Sequence, residues 1–322
     1  MSVSASKNNL VHELLVRTAD ENYIAARWCA INRLNTDFLW LAVHALEKYL
    51  KAVLLVNGRS SRKYSHDIVR LYADVKTLAG ALLPDTLAKP ADLDTDHWFD
   101  RTPEQFTEYL LRNGNADNRY LIYGYVTSSQ DLHMLDTMVF AIRRLICPLD
   151  ERMFPRRDPG APTVTHREIL TRQPEHYGRM FMPLDDLISA REASPARAVA
   201  LNLNVAFAPE DYPHEPLRSG SSARNPVIMR RILDPLESDN PAYAAEGVEL
   251  ARWFLANVQV PKGSRTIQAW PSRSRRRSKR PAQSTGSRDD AAFRLTLLRR
   301  RGLAALAPRR HAARAVRCRA DR

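Results

Sequence analysis

The stretch Thr36 to Gly58, TDFLWLAVHALEKYLKAVLLVNG, constrains the fold more than any other part of the chain. Leu39, Val43, Leu46, Leu50 and Val53 recur at alternating steps of four and three residues, which aligns them on one face of a helix. Such a stripe must be buried against other elements. The opposite side carries His44, Glu47, Lys48 and Lys51, with Glu47 four residues ahead of Lys51, the order that supports a helix. Asn57-Gly58 marks the C-terminal end, because glycine enters left-handed backbone without a steric cost. Asn35-Thr36-Asp37 offers an N-cap at the other end.

The neighbouring segments supply partners for that face. Residues from about Asn8 to Arg33 read as a long helix with an imperfect apolar stripe through Leu10, Leu14, Val16, Ala19, Tyr23, Ala26 and Ile31, antiparallel to the first. Ser65-His66-Asp67 starts a third helix with Ile68, Leu71, Tyr72, Val75, Leu78 and Leu82 inside, and Pro84 ends its regularity. Asp92 to Asp96 alternates like the start of a calcium loop. His97 stands where that loop needs Gly and Pro103 where it needs Glu, so the segment reads as an ordinary loop. Thr102-Pro103-Glu104-Gln105 is a capping box for a short helix to about Arg112, stopped by Asn113-Gly114-Asn115. A last helix runs from about Ser128 to Cys147. Asp131 lies near its positive end, Arg143-Arg144 near its negative end, and Pro148 closes it.

Past Pro148 the texture changes. Four prolines between Pro148 and Pro162 mark a boundary, Thr165 to Glu168 caps a short helix, and Val199, Leu201, Leu203, Val205 and Phe207 alternate as a half-buried strand would, with Arg179 to Met182 as a guessed partner. Asn240-Pro241 begins a further helix, with Tyr243, Gly247, Leu250, Phe254 and Val258 in register, able to pack back on the bundle. The expected fold is mainly α: a helical bundle over residues 1–149, an accessory mixed region over 150–258 with one strand and a C-terminal helix, and an Arg-rich, disordered tail over 259–322.

Of 49 basic and 36 acidic residues, 19 and 3 lie from Val260 onward, leaving 30 and 33 before it. The net charge of +13 therefore belongs to the tail and not to the folded surface. That tail could bind nucleic acid through phosphates; equally, it could be a disordered appendage or the product of a shifted reading frame. Cys29, Cys147 and Cys318 form neither a disulfide framework nor a CxxC zinc pair, so a reducing, cytoplasmic setting and no metal or other cofactor are expected. His44 and Glu47 interrupt the longest apolar region well short of a membrane span, and the first 30 residues lack a secretory pattern.

Tyr23-Ile24-Ala25-Ala26-Arg27, then Ala45-Leu46-Glu47-Lys48-Tyr49-Leu50-Lys51-Ala52 with Asn57-Gly58, then His66-Asp67-Ile68, resemble HEPN domains in order and spacing. Asn118-Arg119-Tyr120, Tyr123 to Tyr125, Leu135-Asp136 and Ile142-Arg143-Arg144 resemble the ending of one HEPN subgroup. The resemblance covers roughly the first 150 residues. It implies an up-and-down bundle of four or five helices, often dimeric. Members include metal-independent ribonucleases of toxin and defence systems and inactive members that bind nucleotides, RNA or a partner protein.

In the nuclease members, the resemblance implies, an Arg followed by four to six residues and a His sits near the start of the last core helix, and two protomers juxtapose their copies. The His moves the proton of the 2′-hydroxyl and the Arg stabilises phosphate charge. The matching Arg here is Arg119, and Gly124, Tyr125 and Val126 occupy the places for the His. His133 lies too far along, roughly 20 Å from Arg119 if the segment is helical. Arg59 and His66 have a permitted spacing but precede the third helix.

The expectation is thus a non-catalytic HEPN-like protein binding a nucleotide, RNA or partner protein, in a bacterial defence or toxin–antitoxin context. The alternatives are a divergent metal-independent ribonuclease using Arg119 and an adaptor acting through the basic tail. Arg119 with Tyr120, Tyr123 and Tyr125 suits base stacking and phosphate contact; the competing reading is inter-helix packing of hydrogen-bonded tyrosines. His44, Lys48 and Lys51 could form a groove for a phosphate; the competing reading is a salt-bridged helix face. A homodimer through the bundle is a further expectation, and a membrane partner is not.

Overall fold

The computed structural model describes residues 3–90, 98–116, 118, 121, 124–153, 164–214 and 220–258. The central stretch is helix α3, Asn35–Val56; before it come α1, Val3–Val11, a π-helical turn, His12–Val16, and α2, Arg17–Ile31. The expected single first helix is therefore continuous, with one π-helical turn within it. Leu39, Val43, Leu46, Leu50 and Val53 are all buried, as the spacing requires. At about 1.5–3 kcal/mol for each fully buried aliphatic side chain, this one stripe is a large share of the bundle's drive to fold.

Asn57-Gly58 ends α3 as expected. Gly58 has φ +72°, its N–H donates to Leu55 O at 3.1 Å, and Arg59 N–H donates to Leu54 O at 2.8 Å, the two bonds of a Schellman closure. The start differs from expectation. Leu34, not the Asn35-Thr36-Asp37 cluster, precedes the first helical turn, and no side chain caps it. Further helices α4, Ile68–Ala79, α5, Pro103–Asn113, and α6, Gln130–Arg143, pack against α3 and complete the bundle. Asp67 caps α4 by accepting from Arg70 N–H, and Thr102 and Gln105 form the expected capping box at α5. Asp131 sits at the start of α6 as expected, accepting from Ser128 N–H at 2.9 Å.

Arg143 lies in the last turn of α6, as expected. It is wholly buried there, its Nε and Nη2 each 2.9 Å from an oxygen of Asp20 and its Nη1 and Nη2 each 3.0 Å from an oxygen of Asp185. Asp185 lies on α8, Pro183–Ser189, which follows α7, His166–Arg172; Thr165 and Glu168 form the expected capping box of α7. Val199 to Phe207 is not a strand. Pro195–Leu201 forms α9, with Ser194 capping it and Pro195 at its first position, and these start signals outweigh the short alternation. Arg179 to Met182 is likewise irregular.

The sheet consists of β1, Tyr125–Ser128, antiparallel to β2, Ser221–Arg224, with Tyr125 opposite Arg224 and Ser128 opposite Ser221. After β2 the π-helical Met229–Leu233 runs into α10, Asp234–Leu236, and both pack against α11, Pro241–Asn257, whose Asn240 cap matches expectation. The buried core runs continuously from Val16 to Phe207, so α8 and α9 share the bundle's core. Among the described residues no helix is long and apolar enough to cross a membrane. The calcium-like segment Asp92 to Asp96 and the Arg-rich tail lie outside the described residues.

Candidate functional site

Three of the sequence candidates share one side of α3, and Glu47 gathers two of them. Glu47 is 5% exposed, contrary to its placing on an open polar face. Its carboxylate lies 2.6 Å from Lys51 Nζ, 3.0 Å from His66 Nδ1 and 3.9 Å from His44 Nδ1. His44 also meets the Trp40 ring edge-on at 4.2 Å. Lys48 turns away to Asn22 Oδ1 at 2.7 Å and Thr18 O at 3.3 Å, and burial holds its pKa below the ordinary lysine value. Lys51 and Lys48 are therefore each engaged by groups of the fold itself, and a phosphate arriving here would compete with Glu47.

Tyr125 stands apart from that cluster. It is buried on β1, and its hydroxyl lies 2.7 Å from Thr36 Oγ1 at the start of α3. From Thr36 to His44 the helix rises about 12 Å, so the two sets do not form one site. Arg119, Tyr120 and Tyr123 lie outside the described residues. The strand Tyr125–Ser128 shows that the approach to α6 is not helical, so the helical reckoning from Arg119 to His133 does not hold across it. His133 is 4% exposed, and burial lowers its pKa.

A cavity of about 410 Å³ opens where α2 turns into α3 and β1 turns into α6. Arg33 and Asn35 come from the first turn, Thr127, Ser128 and Ser129 from the second, and Gly220, Ser221 and Ser222 from β2, with Phe38 and Leu132 as its apolar floor. The pairing of β2 with β1 and the bond from Ser129 N–H to Gly220 O at 3.0 Å bring the two hydroxyl-bearing segments together. Behind the cavity, buried Asp131 holds Ser128 N–H, Arg101 and Tyr109, which fixes the entry to α6.

Arg33 is the unusual member of this set. It occupies left-handed backbone at φ +60°, the position after the cap of α2. Its N–H donates to Ala30 O at 3.0 Å and Leu34 N–H donates to Cys29 O at 2.8 Å, the Schellman pattern that glycine fills at the end of α3. An arginine there carries about 1–2 kcal/mol of steric cost that glycine would not. Its guanidinium makes no hydrogen bond or ion pair with a described residue, and it is exposed. The lining therefore offers one cation, a carboxamide and several hydroxyls, with no imidazole and no carboxylate among the described residues. Such a set can bind an anion, but it holds no group suited to moving a proton at neutral pH.

Sequence reasoning saw Asn35 only as a cap and did not single out Arg33 or the serines. The available signal was an arginine in the Asn32-Arg33-Leu34-Asn35 turn, where a helix end favours glycine. No curated protein and no solved structure matches the chain. Residues 12–128 match a family model described as HEPN domain.

Proposed function

We propose that the domain binds the phosphate of a nucleotide or of an RNA segment without cleaving it, a reading supported by the match of residues 12–128 to the HEPN domain model and by the concern of that superfamily with nucleotides and RNA. The ligand sits in the cavity at the start of α6. The observation that carries this reading is the lining: Arg33, which pairs with no described residue, the Asn35 carboxamide and the hydroxyls of Ser128, Ser129, Ser221 and Ser222, with no histidine beside them among the described residues. Arg33 supplies the charge and the hydroxyls fill the remaining phosphate oxygens. Cleavage of RNA without metal needs a base near neutral pKa at the 2′-hydroxyl, and the cavity lining lacks one.

The bacterial defence or toxin–antitoxin context and a cytoplasmic setting belong to the same proposal, as does a homodimer through the bundle. The test is incubation of purified protein with single-stranded RNA in chelator, beside titration with a mononucleotide. The expected result is intact RNA and saturable binding. Metal-independent cleavage that disappears in Arg119→Ala would replace this reading with the ribonuclease. Absence of binding by either ligand would point to a protein partner.

A further inference from the structure

A second cavity, of about 320 Å³, lies at the opposite end of α6. Its walls come from the π-helical turn, from the residues that follow α6, and from α7 with the loop behind it, which place His12, Arg144, His166 and His176 around one space. No carboxylate is among the described lining residues. Arg143, which also borders the cavity, is discharged by Asp20 and Asp185.

Arg144 is not discharged in that way. Its Nη1 donates to Pro174 O and its Nη2 to Leu82 O at 2.7 Å, so carbonyls fix the guanidinium plane without neutralising it. Its Nε is buried and has no hydrogen-bond partner among the described residues. Burial lowers the Arg144 pKa, and Glu175 attracts it only from an exposed position. A guanidinium held by carbonyls keeps its full charge, and beside a cavity with no carboxylate among its described lining residues that charge favours an anion.

The rest of the cavity limits the chemistry. Val56, Ile146, Leu170 and Met180 give it an apolar wall. Burial pushes the Cys147 thiol up to about 12, so it stays protonated and is no nucleophile. Among the described residues no group of three histidine, cysteine or acidic side chains is placed to hold a metal. The volume is at the small end of small-molecule sites, about 300–1,000 Å³.

We propose that this cavity binds a small organic anion, with its acidic group among the imidazoles of His12, His166 and His176 in the field of the Arg144 charge, and its apolar body along Val56, Ile146, Leu170 and Met180. A carboxylate and a phosphate monoester share that chemistry. Calorimetric titration of the full chain with hexanoate and with hexyl phosphate distinguishes them, with hexanol and inorganic phosphate as controls. At least one of the two amphiphilic anions should bind saturably, at least tenfold tighter than either control. Arg144→Leu and, separately, His176→Leu should each weaken it at least tenfold, while Arg33→Gly should leave it unchanged. Because Arg144 also ties two carbonyls, its variant can fail to fold; His176→Leu then decides alone. No saturable binding by either anion, equal binding of hexanol, unchanged affinity in the His176 variant, or loss confined to Arg33→Gly would each overturn the proposal.

Discussion

Two arginines inside the protein, Arg27 and Arg143, each answer to a carboxylate more than a hundred residues away in the sequence. Arg27 donates to Asp136, to Val199 O at 2.8 Å and to Asn202 O at 2.5 Å, and Tyr23 donates to the same Asp136 at 2.6 Å. Burial pushes the Tyr23 and Tyr49 hydroxyls well above the ordinary tyrosine value, so both remain donors at any physiological pH. Breaking one partner of a buried pair leaves a charge with no counter-ion, which costs about 3–5 kcal/mol, whereas removing both partners costs far less. Asp136→Ala should therefore destabilise by several kcal/mol in urea unfolding. Arg27→Met combined with Asp136→Leu should recover most of that loss. A single variant with near-native stability would show that the Arg27 charge is not held as described.

At the scale of elements, α3 was legible because its apolar residues repeat with one period and its end carries Asn57-Gly58. The capping boxes at Thr102 and Thr165 were equally readable, since a cap is a local event. Docking was not. Asp20 and Arg27 fall in phase with the buried stripe Val16, Ala19, Tyr23 and Ala26, and that coincidence was the available sign of a buried polar contact. Its partners on α8 and α9 lie in another stretch of chain, and no periodicity names them. The alternation from Val199 to Phe207 misled because five positions cannot separate a strand from a short helix with its turn.

The cavity was illegible for a similar reason: its serines come from β1 and β2, which only pairing brings together. Gly114 shows the same limit. It reads as a helix stop, yet its φ is −102°, ordinary for any residue. A Cβ there would lie 2.2 Å from Leu39 O and 2.6 Å from Leu39 C, backbone that cannot swing aside. Gly114→Ala should force α5 away from α3 and cost about 1–3 kcal/mol, measurable as a lowered urea midpoint at unchanged slope.

For the whole molecule, pH is the global variable on which one buried and two half-buried histidines act in one direction. Burial lowers the pKa of His12, of His133 and of His166 from the ordinary 6.5. Below 6.5 the unfolded chain takes up protons that the native protein resists, so stability is complete above that value and falls as the pH drops toward the lowered native pKa values. Each histidine contributes at most about 1.4 kcal/mol per pH unit. Asp131, raised by burial, acts in the opposite sense further into acid, because the native state takes up its proton first. Unfolding free energy should therefore decline between pH 7 and pH 5.5; a flat profile over that range would contradict the lowered pKa values of these buried and half-buried imidazoles.

The central claim is that the cavity at the start of α6 is a phosphate site and that Arg33 is kept in left-handed backbone for its guanidinium. Arg33→Gly separates the two effects of that residue. Glycine relieves the steric cost and loses some of the gain to its own chain entropy, so thermal stability should hold or rise, by up to about 1 kcal/mol. A hydrogen bond from a charged group is worth about 1.5–3 kcal/mol, so mononucleotide affinity should fall at least tenfold. Titrating both proteins with one mononucleotide, beside their melting curves, measures both quantities. Weaker binding at equal or greater stability is the predicted result; unchanged affinity in a stable Arg33→Gly protein would contradict the account.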